Sequence, residues 1–227
     1  MRLPIVALTA LTVVIAAAGV PSGFKKIFNG SDLTGWHISQ VSSHGNTRAW
    51  TVKGGVLLGA QDPVGNGGIL LTDRKFHNFE VSIEVQPDFG CDGGIFLRSN
   101  EKGEAYQVML DYLEGGNIGG VYGEGLGPIA RTEGSGKRSD PNWLKYWKRG
   151  DWNHILARIE GEIPHIQVWL NGTQVVDWTD SKNRLPNGAT EGMIAVQVHR
   201  NAPDWKSQRW TANGFHRFRN LAVKELK

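Results

Sequence analysis

Six polar residues fall at spacings that would let them share one surface: Glu84, Arg98, Gln107, Asp111, Gln197 and His199. Successive side chains on a β-strand point to opposite faces. In residues 79–85, Phe79, Val81, Ile83 and Val85 would face a core and leave Glu84 on the other side, with Glu80 and Ser82. In 95–98, Ile95 and Leu97 oppose Phe96 and Arg98. In 106–111, Tyr106, Val108 and Leu110 oppose Gln107, Met109 and Asp111. In 193–199, Ile194, Val196 and Val198 oppose Met193, Ala195, Gln197 and His199. Two carboxylates, an imidazole, a guanidinium and two amides can move protons, bind sugar-like hydroxyls or hold a cation. The solvated outer face of an antiparallel sheet has a similar composition, and periodicity alone favours that plainer reading.

The elements that must position these residues are strands. Short alternating or apolar runs recur at 50–58, 68–71, 79–85, 94–98, 106–110, 153–160, 165–170, 173–178, 192–199 and 215–225, with turn signals between them. No segment beyond residue 18 reads as an amphipathic helix, so the pattern predicts an all-β fold, a two-sheet antiparallel sandwich. Asn171-Gly172 between two such runs predicts a two-residue hairpin, because both residues tolerate positive φ. Further turns are expected at Lys53-Gly54-Gly55 and Asn187-Gly188. Residues 114–150 read as a long irregular segment, which in a compact domain is usually functional. Its Trp143 and Trp147, with Trp205 further on, are candidate sugar-stacking platforms. Trp36, Trp50, Trp152 and Trp169 are expected to pack, and His44, His77, His154 and His165 are read as ordinary surface or packing residues.

The N-terminus reads as an export signal. Met1-Arg2 precedes an uncharged apolar run over 5–18, and Ala16-Ala17-Ala18 offers small residues for cleavage. The run is short of the roughly 20 apolar residues that span a bilayer. The expectation is a signal peptide at 1–18, then a single β-sandwich domain at 19–227, periplasmic or secreted and free of the membrane once processed. The formal charge of +3 offers no basic tract for nucleic acid. The single cysteine, Cys91, cannot form an internal disulfide, so the domain must rest on its core.

The runs also carry a family resemblance. Lys26-Ile27-Phe28-Asn29-Gly30-Ser31-Asp32-Leu33-Thr34-Gly35-Trp36 resembles the "LFNGxDLxGW" opening of the 3-keto-disaccharide hydrolase family. Gly93-Gly94-Ile95-Phe96-Leu97-Arg98 resembles its "NSGi.lR", and Tyr106-Gln107-Val108 with Asp111 its "yevqilD". Gly150-Asp151-Trp152-Asn153 resembles "geWN", Gln197-Val198-His199 resembles "lQdH", and Phe218-Arg219-Asn220-Leu221 resembles "FRNI". The series runs in order along the chain after the signal. It departs at Cys91-Asp92-Gly93, where the family has "NSG", at Val198, and in 201–210, which looks like an insertion.

The resemblance implies a jelly roll of the concanavalin A-like lectin/glucanase type and cleavage of glycosides oxidised to a ketone at sugar carbon 3. A 3-ketone acidifies the C2 hydrogen, so a base can remove it and expel the group at C1; water can then add to the enone. That chemistry needs a base, an acid and something electrophilic on the ketone oxygen. On this reading His199, Glu84 and Asp111 are the base, acid or metal-ligand candidates, and a divalent ion on His199 with Glu84 or Asp111 is an option. Arg98 would bind an oxygen, while Gln107 and Gln197 would read hydroxyls. Nothing resembles the Glu-x-Asp-x-x-Glu strand of laminarinase-type enzymes. A non-catalytic carbohydrate-binding module is the rival reading, since fold alone does not fix function.

Overall fold

A computed structural model describes residues 19–127, 140, 142–204 and 206–227. Fourteen strands form two antiparallel sheets, and the described residues contain no α-helix. In chain order the strands are β1 (Lys25–Lys26), β2 (Trp36–Ile38), β3 (Trp50–Lys53), β4 (Val56–Gly59), β5 (Gly68–Phe76), β6 (Phe79–Pro87), β7 (Gly94–Ser99), β8 (Ala105–Leu110), β9 (Ile118–Glu124), β10 (Asn153–Glu160), β11 (His165–Leu170), β12 (Thr173–Thr179), β13 (Gly192–Val198) and β14 (His216–Glu225). The larger sheet runs β12-β11-β10-β6-β14-β4-β3, with β1 on β14; the smaller runs β2-β5-β13-β7-β8-β9. The fold is thus the two-sheet antiparallel sandwich that the sequence pattern predicts, in agreement with the jelly roll that the family resemblance implies.

Alternation builds the core. Phe79, Val81, Ile83 and Val85 of β6 meet Ile95, Leu97, Tyr106, Val108, Leu110, Ile194, Val196 and Val198 of the smaller sheet, all essentially buried. Burying each such side chain contributes about 1.5–3 kcal/mol. Asn171 and Gly172 both take positive φ between β11 and β12, as expected of the hairpin. The segment 50–58 is two strands, split by Gly54 and Gly55 at positive φ.

Residues 114–150 depart from the expected irregular loop. Residues 118–124 are β9, the edge strand of the smaller sheet, and Trp143–Lys145 is a turn of 3₁₀ helix. Four of the residues in 115–120 are glycines, which hides the strand from a propensity reading. The expected export signal at 1–18 lies outside the described residues, as do 128–139 and 141 of the loop and the candidate platform Trp205.

Candidate active site

The site is built on the outer face of the smaller sheet, the face turned away from the core. Part of that face is apolar. Ile69, Leu71, Phe96, Ala105, Met193 and Ala195 form a second buried cluster there. The chain near Ser39–His44 folds over it, with Ser39 Oγ bonded to the Glu101 carbonyl and His44 edge-on to Phe96.

The rest of the face is a polar cavity of about 360 Å³ lined by Asp92, Gln107, Met109, Asp111, Tyr122, Glu124, His199 and Arg209. Two short bridges place most of it. Cys91 pairs with Tyr112 on one side and with Trp210 on the other, extending the sheet by one row whose side chains face the core. By alternation the neighbouring row, Asp92, Asp111 and Arg209, faces outward. Arg209 donates to Asp92 Oδ2 from Nε (2.8 Å) and Nη2 (2.5 Å), and Nη2 lies 3.1 Å from Asp111 Oδ1. That Asp111 oxygen is buried and makes no aligned hydrogen bond. Burial, then the charge of Asp92, pushes the Asp111 carboxyl above the ordinary aspartate range, and Arg209 only partly offsets this.

His199 follows β13 directly. Its Nδ1 lies 2.7 Å from the Arg200 carbonyl, which accepts a hydrogen bond from it. The neutral ring therefore carries its hydrogen on Nδ1 and presents the lone pair of Nε2, 3.8 Å from Asp92 Oδ2. Burial pulls the imidazole below its usual pKa, and Asp92 raises it again in part, so His199 is neutral at pH 7. Such a ring can accept a proton, and Asp92 would stabilise the imidazolium formed.

On the next rows, Gln107 donates to the Gly93 carbonyl (3.1 Å) and to Gln197 Oε1 (2.8 Å). Gly94 permits this, because a Cβ there would collide with the Gln107 side chain. Gln197 Nε2 in turn lies 2.9 Å from His44 Nδ1, and His44 Nε2 is 3.2 Å from Glu124 Oε1.

Gln107, Asp111, Gln197 and His199 thus meet on one face, as alternation predicts. Glu84 does not join them. It lies on β6, in the other sheet, where its outward face carries it to Arg219, whose Nε donates to Glu84 Oε2 and whose guanidinium covers Trp152 at 4.0 Å. Period-2 reasoning assigns a face within each strand and cannot say which sheet the strand joins. Arg98 departs for a different reason. It takes φ of +56° at a β-bulge against β13, which breaks the alternation and turns its side chain inward. There it is buried and donates to the carbonyls of His77 and Gly161 and to Asn78 Oδ1, tying the ends of β5, β6 and β10 together. Burial lowers its pKa to about 10.

Trp143 and Trp147 are core residues, not platforms in this cavity. Trp147 packs on Tyr112 and Trp143 at centroid distances of 5.8 and 6.3 Å. The suggested metal set of His199, Glu84 and Asp111 is divided between the two sheets, and no group of three or more His, Cys, Asp or Glu among the described residues is placed to hold a metal ion. The positive charge between Asp92 and Asp111 is the guanidinium of Arg209. Four cavity groups escape the sequence reading: Asp92, Arg209, Glu124 and Tyr122; His44, which backs the cavity, reads there as an ordinary packing residue. Asp92 stands in a motif departure and Arg209 in the apparent insertion, so departures from the family pattern are the signal that could have found them.

A two-sheet sandwich with a polar, partly enclosed cavity on the outer face of one sheet offers a site for a polar ligand, and the family it belongs to makes it carbohydrate-active. Residues 23–224 match the 3-keto-alpha-glucoside-1,2-lyase-like domain, and the chain belongs to that family. It is 30% identical over 100 residues to a 3-keto-disaccharide hydrolase of Bacteroides thetaiotaomicron. That alignment takes in 40% of this chain and 33% of the relative, so the chain matches about a third of that protein's length. Among solved structures, a protein from Parabacteroides distasonis assigned as a glycosyl hydrolase superposes with a TM-score of 0.60 at 19% identity, covering 89% of this chain and 99% of the other. The carbohydrate-binding module CBM66 from Bacillus subtilis superposes with a TM-score of 0.50 at 14% identity, over 86% of this chain and 98% of the module. At these identities the two structures speak for the fold alone.

Proposed function

We propose that the protein is an exported enzyme that cleaves glycosides carrying a ketone at sugar carbon 3, by removing the C2 proton and expelling the group at C1. One observation carries this reading. The polar cavity is lined by a neutral imidazole, a carboxyl displaced toward its acid form and a guanidinium. The family membership and the relative's name supply the 3-keto sugar as the substrate class.

The roles follow from the chemistry. His199 Nε2 takes the C2 proton, and the electron pair forms the enolate, whose oxygen is stabilised by the Arg209 guanidinium. Collapse of the enolate breaks the C1–O bond, and the Asp111 carboxyl gives its proton to the departing oxygen. The product is an enone with a C1=C2 double bond. Water then adds at C1, losing a proton to the Asp111 carboxylate, while C2 regains its proton from the His199 imidazolium. Both groups return to their starting forms. Two carboxylates at the separations used by direct glycosidases are not required. Gln107, Tyr122 and Glu124 remain to hold ring hydroxyls.

The test compares a 3-keto-disaccharide with its unoxidised parent, using the purified protein. Release of the 3-keto sugar from the oxidised substrate alone is the expected result. Equal cleavage of the parent, or binding of the 3-keto sugar with no cleavage, would contradict the reading.

A further inference from the structure

The hydrogen-bond chain behind the cavity has a direction that can be read from one fixed end. The Gly93 carbonyl can only accept, so the Gln107 atom 3.1 Å from it is the amide nitrogen. That nitrogen also meets Gln197 at 2.8 Å, so the Gln197 atom there is its oxygen. The other end of the Gln197 amide, a donor, then faces His44 Nδ1 at 2.9 Å, which must be a lone pair. Neutral His44 accordingly carries its hydrogen on Nε2, which lies 3.2 Å from Glu124 Oε1, a close polar contact that is not aligned as a hydrogen bond. Gln197, Gln107 and His44 are 0%, 5% and 6% exposed, so water cannot reverse the chain. Glu124, with a side chain 22% exposed, is the member of this assembly that lines the cavity with its charge.

We infer that Glu124 is the specificity-determining residue that selects the sugar's hydroxyl pattern, and that Gln107, Gln197 and His44 are positioning residues that hold the Nε2–H end of His44 against its carboxylate. The inference rests on the reading of this cavity as the sugar site. A carboxylate accepts hydrogen bonds from two adjacent hydroxyls more strongly than any neutral group, and only in one orientation relative to the ring. His44 meets that carboxylate from one side. His199, Asp111 and Arg209 act on C1 to C3, which leaves the hydroxyls of the remaining ring carbons for Glu124.

Two measurements test it. Nitrogen-15 NMR of the histidine-labelled wild-type protein should show His44 as the Nε2–H tautomer; the Nδ1–H form would overturn the positioning chain. For Glu124→Gln, the preference between 3-keto glycosides of gluco and galacto configuration should shrink by about ten- to a hundredfold, the worth of a hydrogen bond to a charged group. The loss should appear in KM more than in kcat. An unchanged preference, or an equal fall in kcat for both epimers, would overturn the selection role. Direct binding of methyl α-glucoside and methyl α-galactoside separates the two readings. Epimer discrimination that vanishes in Glu124→Gln supports the inference even if no 3-keto glycoside is cleaved, whereas wild-type protein that binds neither these sugars nor their 3-keto forms removes the inference together with the sugar site.

Discussion

His199 and Glu84 are the two residues that alternation offers most readily as a base, and their surroundings separate them. His199 lies in the polar cavity with its Nε2 lone pair fixed by the Nδ1 bond to the Arg200 carbonyl, and burial keeps it neutral. Glu84 is sealed on the opposite sheet by Arg219. His199→Gln should therefore lower kcat by roughly 10²–10⁴-fold, the usual worth of a positioned proton-transfer group. Glu84→Gln should leave kcat within about twofold of wild type, because its contacts are structural. Steady-state kinetics on a 3-keto-disaccharide decides between them, and the reverse ranking would move the site to the other sheet.

The strand ends position the chemistry more than the strands themselves. His199 and Asp111 sit one residue beyond β13 and β8, where only single backbone contacts, such as His199 N to the Asp92 carbonyl at 3.2 Å, continue the ladder. The loop that precedes β5 adds further contacts to His199 and its neighbours. Gln61 Nε2 donates to the His199 carbonyl at 2.8 Å, and Asn201 N donates to the Gly65 carbonyl at 3.0 Å. Gly67 lies against the backbone of Val198, His199 and Arg200 so closely that a Cβ would collide with all three. Gly67→Ala should displace His199 and lower turnover by about 10²-fold, the effect of a misplacement on the order of 1 Å. The far-ultraviolet circular dichroism should stay that of the β-sandwich. Unchanged turnover would show that this loop does not hold the base. Contacts of this kind explain what the sequence could and could not disclose. Gln107, Asp111, Gln197 and His199 were legible because each lies in phase with an apolar alternation. Arg98 was misread because a bulge shifts that phase, and Arg209 was hidden because its place beside Asp92 depends on pairing between residues over a hundred positions apart.

Across the whole molecule, the site depends on the seam between the two sheets. His216 at the start of β14 is fully buried beneath Gly93, packed at a tilt against Trp210, with its Nδ1 3.2 Å from the Gln197 carbonyl. Burial lowers its pKa to about 4 from 6.5. The unfolded chain therefore takes up a proton near pH 6.5 that the folded protein refuses until about pH 4. Stability from this group is complete above pH 6.5 and is lost as the pH falls through that window, by on the order of 3 kcal/mol. His216→Phe should flatten that part of the denaturant-derived stability curve between pH 6.5 and 4. An unaltered acid slope would mean that other groups carry it. The sandwich as a whole was readable from periodicity and the Asn171-Gly172 turn, whereas β9 was not, because glycines mask its pattern.

The central claim is that cleavage proceeds through removal of the C2 proton inside the polar cavity, and isotope exchange tests it most directly. A 3-keto-disaccharide is cleaved by the purified protein in deuterated water, and the released sugar is followed by NMR from the earliest turnover, against a control without enzyme. Elimination followed by hydration predicts deuterium at C2 of the released 3-keto sugar at a rate that matches cleavage, and loss of both in His199→Gln. Cleavage at full rate with hydrogen retained at C2 would contradict the account.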